Sequence, residues 1–180
     1  MVKKLYRNRK YTMGDKILVM SFPGTGKTKA VENYPDIFYE VDASDYYIGG
    51  LTICKDMGEF PANYVDKIEK VLEDSSIKAN IILISNHVEV AQELYNRNIK
   101  FCMVFSNRNI TIDGIKSAGY CKHLVEYFDD TYNDHVHFLK HLCTGSILGS
   151  GCKNIESVFL GNRDPSVTYR HIINYFNRSV

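Results

Sequence analysis

Short apolar runs alternate with polar, helix-forming stretches through the first hundred residues. Residues 16–20, 37–41, 81–84 and 101–105 are each four or five residues long and mainly apolar, which predicts strands. The run Ile81-Ile82-Leu83-Ile84 has no alternation at all, as expected of a central strand buried on both faces of a parallel sheet. Between the runs lie predicted helices at 27–33, from Pro61 to about Asp74, and at 89–98. Tyr34-Pro35 ends the first, because proline disfavours helical geometry in the residue before it; Pro61 opens the second. Tyr64, Ile68, Val71 and Leu72 recur there at helical spacing, with Asp66, Lys67, Glu69 and Lys70 on the other face. Strand, helix and strand at this spacing predict an α/β fold, a mainly parallel central sheet with helices on both faces.

Beyond Thr111 the pattern weakens. Residues 123–128 and 132–142 read as two helices, Gly145, Gly149 and Gly151 mark a loop, 155–160 a last strand and 166–176 a closing helix. No repeat or linker divides the chain, so 1–180 reads as one domain with 1–15 as a basic arm.

The first strand runs into Ser21-Phe22-Pro23-Gly24-Thr25-Gly26-Lys27-Thr28. A strand, a glycine-rich turn, Gly-Lys-Thr and a helix form the setting of a phosphate-binding loop. In it, backbone N–H groups cradle phosphate, the lysine reaches the β and γ phosphates, and the hydroxyl holds Mg²⁺. Unpaired N–H groups at the helix start would add to the same site. Ser21 stands where the motif has its first glycine, which is tolerable where the turn needs no positive φ. The cofactors expected are therefore ATP and Mg²⁺, with all eight residues, 21–28, as the binding loop.

Ligands of parallel sheets bind at the C-terminal ends of the strands. That edge would gather the loop, Asp42, Ser44 and Asp45 after the second strand, Ser85, Asn86 and His87 after the third, and Ser106, Asn107 and Arg108 after the fourth. The third strand ends in Ser85, so the usual strand-end carboxylate for the metal is missing there; Asp42 or Asp45 would supply it, or water would. Asp42 could equally be a general base or acceptor anchor, or merely cap the following turn. Ser44 and Asp45 would help to bind the acceptor. His87 could hydrogen-bond a base or phosphate, or be satisfied by a neighbouring carbonyl. Arg108 could neutralise charge developing on a transferring phosphoryl group, or be an exposed loop residue. His135, His137 and His141 lack a Cys or carboxylate set at ligand spacing.

Composition narrows the partners. A net charge of +1 gives no global pull toward nucleic acid or membrane. Lys3, Lys4, Arg7, Arg9, Lys10 and Lys16 against Asp15 nevertheless leave room for nucleic acid at the arm, which is otherwise a solvated tail. The five cysteines are irregularly spaced and read as reduced thiols. No apolar stretch suits a membrane span or a secretory signal, so a cytoplasmic protein is expected.

Phe22 to Thr28, then Asp42-Ala43-Ser44, then Phe60-Pro61-Ala62-Asn63-Tyr64, then Ile84-Ser85-Asn86-His87-Val88-Glu89-Val90 resemble, in order and spacing, a family of small bacteriophage and prophage P-loop proteins related to nucleoside monophosphate kinases. The resemblance covers about the first hundred residues. It implies a three-layer P-loop NTPase fold of nucleotide-kinase type, ATP binding, and a viral source, hence a host cytoplasm. After Phe105 it fades. The family's Lys- and Arg-rich lid helix corresponds to Ile115-Lys116-Ser117-Ala118-Gly119-Tyr120, which keeps Gly-Tyr but only Lys116. The leading expectation is a kinase transferring the ATP γ-phosphate to a nucleoside monophosphate or similar acceptor. The alternatives are a kinase acting on a base or end within DNA, and a nucleotide-binding regulatory or host-interaction protein without efficient transfer.

Overall fold

A computed structural model describes residues 16–43, 59–144 and 155–159, the side chains of 139–144 and 155–159 apart. Ser44, Asp45, the basic arm, the 145–151 loop and the 166–176 helix lie outside the described residues. Strands β1 (Ile17–Ser21), β2 (Phe38–Val41), β3 (Ile81–Ser85), β4 (Phe101–Phe105) and β5 (Ile155–Phe159) form one sheet in the order β2-β3-β1-β4-β5. All four pairings are parallel. The register sets Ser21 against Ser85 on one side and Val104 on the other, so the strand ends share one edge. β2, although second along the chain, is not next to the loop strand β1: β3 lies between them. The crossover through β3 cannot be read from the order of elements along the chain.

Helices are α1 (Lys27–Asn33), α2 (Ala62–Glu73), α3 (Val88–Asn96), α4 (Arg108–Ser117) and α5 (Lys122–Thr144). Period-two alternation along the strands divides the core. Leu18, Met20, Ile82, Ile84, Met103 and Phe105 meet residues of α2, α3, α4 and α5 on one face. Val19, Leu83, Cys102 and Val104 meet Ala30 of α1 on the other. Tyr64 fixes α2 to the sheet, its ring fully buried and its hydroxyl donating to the Val41 carbonyl at 2.6 Å. At the other end of α2, the Lys16 ammonium donates to the carbonyls of Val71, at 2.7 Å, and Asp74.

Two elements differ from the sequence reading. α4 lies where the pattern had faded, because Ile110, Thr111, Ile112 and Gly114 are poor helix formers. It is held by a cap, the Asn107 side chain accepting from the Ile110 N–H at 3.0 Å, and by burial of Thr111, Ile112 and Ile115. The two helices expected at 123–128 and 132–142 are one helix of 23 residues. Asp129, Asp130 and Thr131 read as a break, yet the Thr131 hydroxyl donates to the Tyr127 carbonyl at 2.6 Å within the helix.

The loop is pressed onto this scaffold at two points. Phe22 is buried against Phe128, Tyr132 and His135 of α5, at ring-centroid distances of 5.8, 5.4 and 6.3 Å. Gly24, at φ +71°, lies so close to α4 that a β-carbon there would stand 2.5 Å from the Gly114 carbonyl carbon and 2.6 Å from the Ile115 nitrogen. Gly24→Ala is therefore expected to destabilise the protein by roughly 2–5 kcal/mol, a left-handed backbone cost plus overpacking. Gly119→Ala has a similar φ of +77° but open space around the new carbon, and should cost only about 1–2 kcal/mol. Urea unfolding of both variants checks this; equal losses would mean that α4 does not press on the loop.

Candidate functional site

The loop connecting β1 to α1 is shaped by Gly24 and Gly26, both at positive φ, +71° and +84°. Ser21 ends β1 and is not among the positive-φ residues, so a serine fits there without strain. Its hydroxyl lies 3.2 Å from that of Thr25, which donates to the Phe22 carbonyl at 2.8 Å and so closes the turn from within. α1 has only seven residues, so its dipole adds little to the site. The positive charge comes from Lys27.

Lys27 is 6% exposed, and its ammonium donates to the Phe22 carbonyl at 3.2 Å. Burial lowers its pKa from 10.5 to about 8, with the carboxylates of Glu40 and Asp42 pulling the other way. A cation kept out of water with a neutral carbonyl as its hydrogen-bond acceptor fits a site built for an anion.

Glu40 is the residue sequence reasoning missed. Its carboxylate oxygen accepts the Thr28 hydroxyl at 2.8 Å, across from α1 to β2. With its proton committed to Glu40, the Thr28 oxygen keeps lone pairs for a cation, so the pair fits a nucleotide-bound Mg²⁺. Asp42 follows two positions later, on the same face by period-two alternation, and is exposed. The signal was present in the sequence: Phe38, Glu40 and Asp42 alternate, but Glu40 was read as part of an apolar run. Both carboxylates also act on Tyr120, in the turn between α4 and α5, and burial followed by these charges raises its phenol pKa.

His87 precedes α3, its ring edge-on to Phe60 at 5.9 Å. Burial first, then the charges of Lys27 and His135, lower its pKa to about 3, so it is a neutral imidazole near the lysine. His135 is buried among Phe22, Tyr127 and Phe128, with Nδ1 3.0 Å from the Thr131 carbonyl oxygen. Asn86 is wholly buried, and its backbone N–H donates to the Ser21 carbonyl at 2.8 Å. Neither Oδ1 nor Nδ2 of its amide has a partner among the described residues. Arg108, by contrast, is turned to α5: its Nε is 2.9 Å from Asp129 Oδ1 and donates to the Asp129 carbonyl at 3.1 Å. The structure thus groups the loop with Glu40, Asp42, Asn86 and His87, while Arg108 is engaged elsewhere. Among the described residues no helix is long and apolar enough to cross a membrane.

No protein-family model matches the chain, and no curated protein matches it significantly. Among solved structures it is similar to a gluconokinase from Sinorhizobium meliloti, with a TM-score of 0.51 and 11% identity over 92% of this chain and 93% of that one. A protein from Eubacterium ventriosum superposes at 0.46 and 14% identity, covering 91% and 99% of the two chains. A mouse sulfotransferase complexed with PAP superposes at 0.37 and 12%, covering 92% of this chain and 56% of its own. The gluconokinase likeness shows the fold, an α/β architecture with a parallel sheet.

The depressed Lys27 pKa has a measurable sign. The unfolded chain holds this proton up to about 10.5 and the folded one only to about 8, so the folded state becomes more stable as pH rises through that window. The parent should gain up to about 3 kcal/mol relative to Lys27→Met between pH 8 and 10.5, at ~1.4 kcal/mol per pKa unit. Chemical denaturation of both proteins across that range tests it; parallel stability profiles would show that the ammonium is solvated.

Proposed function

We propose that the chain is a P-loop nucleotide-binding protein that transfers the γ-phosphoryl group of ATP to a small acceptor, a nucleoside monophosphate in the reading taken from the sequence. The observation that supports this most is the desolvated Lys27 at the end of a central strand, inside a turn built by Gly24 and Gly26 and beside the Thr28–Glu40 pair. That a gluconokinase has the same fold is in keeping with the general chemistry.

Phosphoryl transfer asks a protein for positioning and for charge opposite the phosphoryl oxygens. Lys27 would leave the Phe22 carbonyl for a phosphate oxygen. Thr28, with Glu40 or Asp42, would hold Mg²⁺, which when bound supplies charge neutralisation at the phosphates. Asp42 would orient the acceptor with Ser44 and Asp45, and take the proton where the acceptor presents a hydroxyl. His87, neutral, could donate or accept one hydrogen bond beside the phosphates. Arg108 would have to exchange Asp129 for phosphate to act in transfer, so we assign it first to joining α4 and α5.

That engagement of Arg108, with Lys116 as the one basic residue of the segment 115–120, favours a second reading: nucleotide binding without efficient transfer. Incubation with γ-labelled ATP, Mg²⁺, and a panel of nucleoside monophosphates and DNA oligonucleotides separates the readings. A labelled nucleotide supports the first, ATP binding with no labelled product the second, and labelled DNA an acceptor within DNA.

Two variants probe the roles of named groups. Thr28→Val keeps the shape and removes the hydroxyl, so calorimetry should show affinity for ATP falling mainly when Mg²⁺ is present; an equal loss without metal counts against a ligand role. Asp42→Asn should lower transfer by roughly 100- to 10,000-fold with little change in ATP affinity. Unchanged turnover with a lowered melting temperature would instead make Asp42 a turn cap.

A further inference from the structure

Asn86 is wholly buried, and its two amide atoms lack partners among the described residues. Such a group costs stability, so its retention needs a reason. Its place supplies one: the backbone N–H of Asn86 is bonded to Ser21, the first residue of the loop, which puts the amide within a side chain's length of the turn. By period-two alternation it lies on the face of Ile82 and Ile84, the face that also carries Phe22. The Lys27 ammonium is equally shut in, turned back onto the Phe22 carbonyl at 3.2 Å.

Resting on the phosphate-loop reading, we propose that Asn86 is a positioning residue for the terminal phosphate of a bound nucleoside triphosphate: Oδ1 accepts from the Lys27 ammonium once it leaves the Phe22 carbonyl, and Nδ2 donates to a terminal phosphate oxygen. The chemistry of the two partners suits the amide. Lysine is only a donor and a phosphate oxygen only an acceptor, so together they meet both unmet needs of Asn86. A hydrophobic residue at this position would leave the ammonium one partner short, and a carboxylate would oppose the phosphate.

The experiment uses the full chain, with calorimetric affinities for ATP and ADP in Mg²⁺ and thermal melting without nucleotide. Asn86→Leu removes two unpartnered polar atoms at similar volume, so the nucleotide-free variant should melt no lower than the parent. Its ATP affinity should fall roughly 10- to 100-fold, the worth of a hydrogen bond to a charged group, and its ADP affinity less than threefold. Asn86→Asp keeps Oδ1 for Lys27 and should lose ATP at least as severely, through repulsion of the terminal phosphate; it carries the test if Asn86→Leu does not fold. ATP affinity equal to the parent's in either variant, or equal losses of ATP and ADP, overturns the proposal while leaving the phosphate loop standing. A parent that binds no ATP overturns both.

Discussion

A buried ammonium is the constraint around which this molecule is arranged. Lys27 is held out of water with a peptide carbonyl as its acceptor, and burial costs it part of its affinity for its own proton. A fold keeps such a group only where the surroundings over-determine it. Here the surroundings are the central strand β1, flanked by β3 and β4, and two helices that hold the loop from one face of the sheet. Part of the energy for this comes from apolar burial next to the charge. Phe22, inside the loop itself, is 1% exposed and packed on three rings of α5, and a side chain of that size contributes about 1.5–3 kcal/mol by leaving water.

The same packing decides how far the loop can move. A loop fastened at Phe22 by rings and at Gly24 by direct backbone contact with α4 is pre-shaped, and the movable part is the lysine side chain. Binding of an anion there would need a side-chain rotation and no refolding of the turn, which would keep its ordering entropy small. α4 in turn is fixed to α5 by the Arg108–Asp129 ion pair, and α5 to the β4 end by the Tyr132 hydroxyl donating to the Ser106 carbonyl. The half-exposed ion pair is worth little by itself. Its consequence is directional: it turns a cation away from the loop that the position of Arg108 after β4 would otherwise offer it.

The strands and the loop were legible in the sequence because their signals are local. Four apolar runs, each four or five residues long, and a Gly-Lys-Thr after the first leave few arrangements for a parallel sheet. What was not legible depends on pairs distant in the chain. α4 hides behind β-branched residues and Gly114, and the reason for Gly114 appears only when Gly24 is seen against it. Glu40 lies inside the mainly apolar run 37–41, and only Thr28, 2.8 Å away, shows what its carboxylate does. Asn86 belongs to the strand-end cluster that the sequence points to, but nothing there singles it out from Ser85 and His87; its burial without side-chain partners among the described residues is what sets it apart.

The charges around the loop also bear on which form of nucleotide the site would accept. Glu40 and Asp42 act on Lys27, so two carboxylates face one ammonium. For a bare triphosphate, repulsion from these two carboxylates would offset part of the attraction of the lysine. The magnesium complex reverses this balance, because the ion adds two positive charges beside Thr28, where the Glu40 carboxylate already accepts the hydroxyl proton. The acids that would weaken a simple phosphate site therefore make sense in a site for a metal-bound nucleotide. They also make Lys27 less costly to keep buried before the nucleotide arrives, since the same carboxylates raise its pKa against the effect of burial.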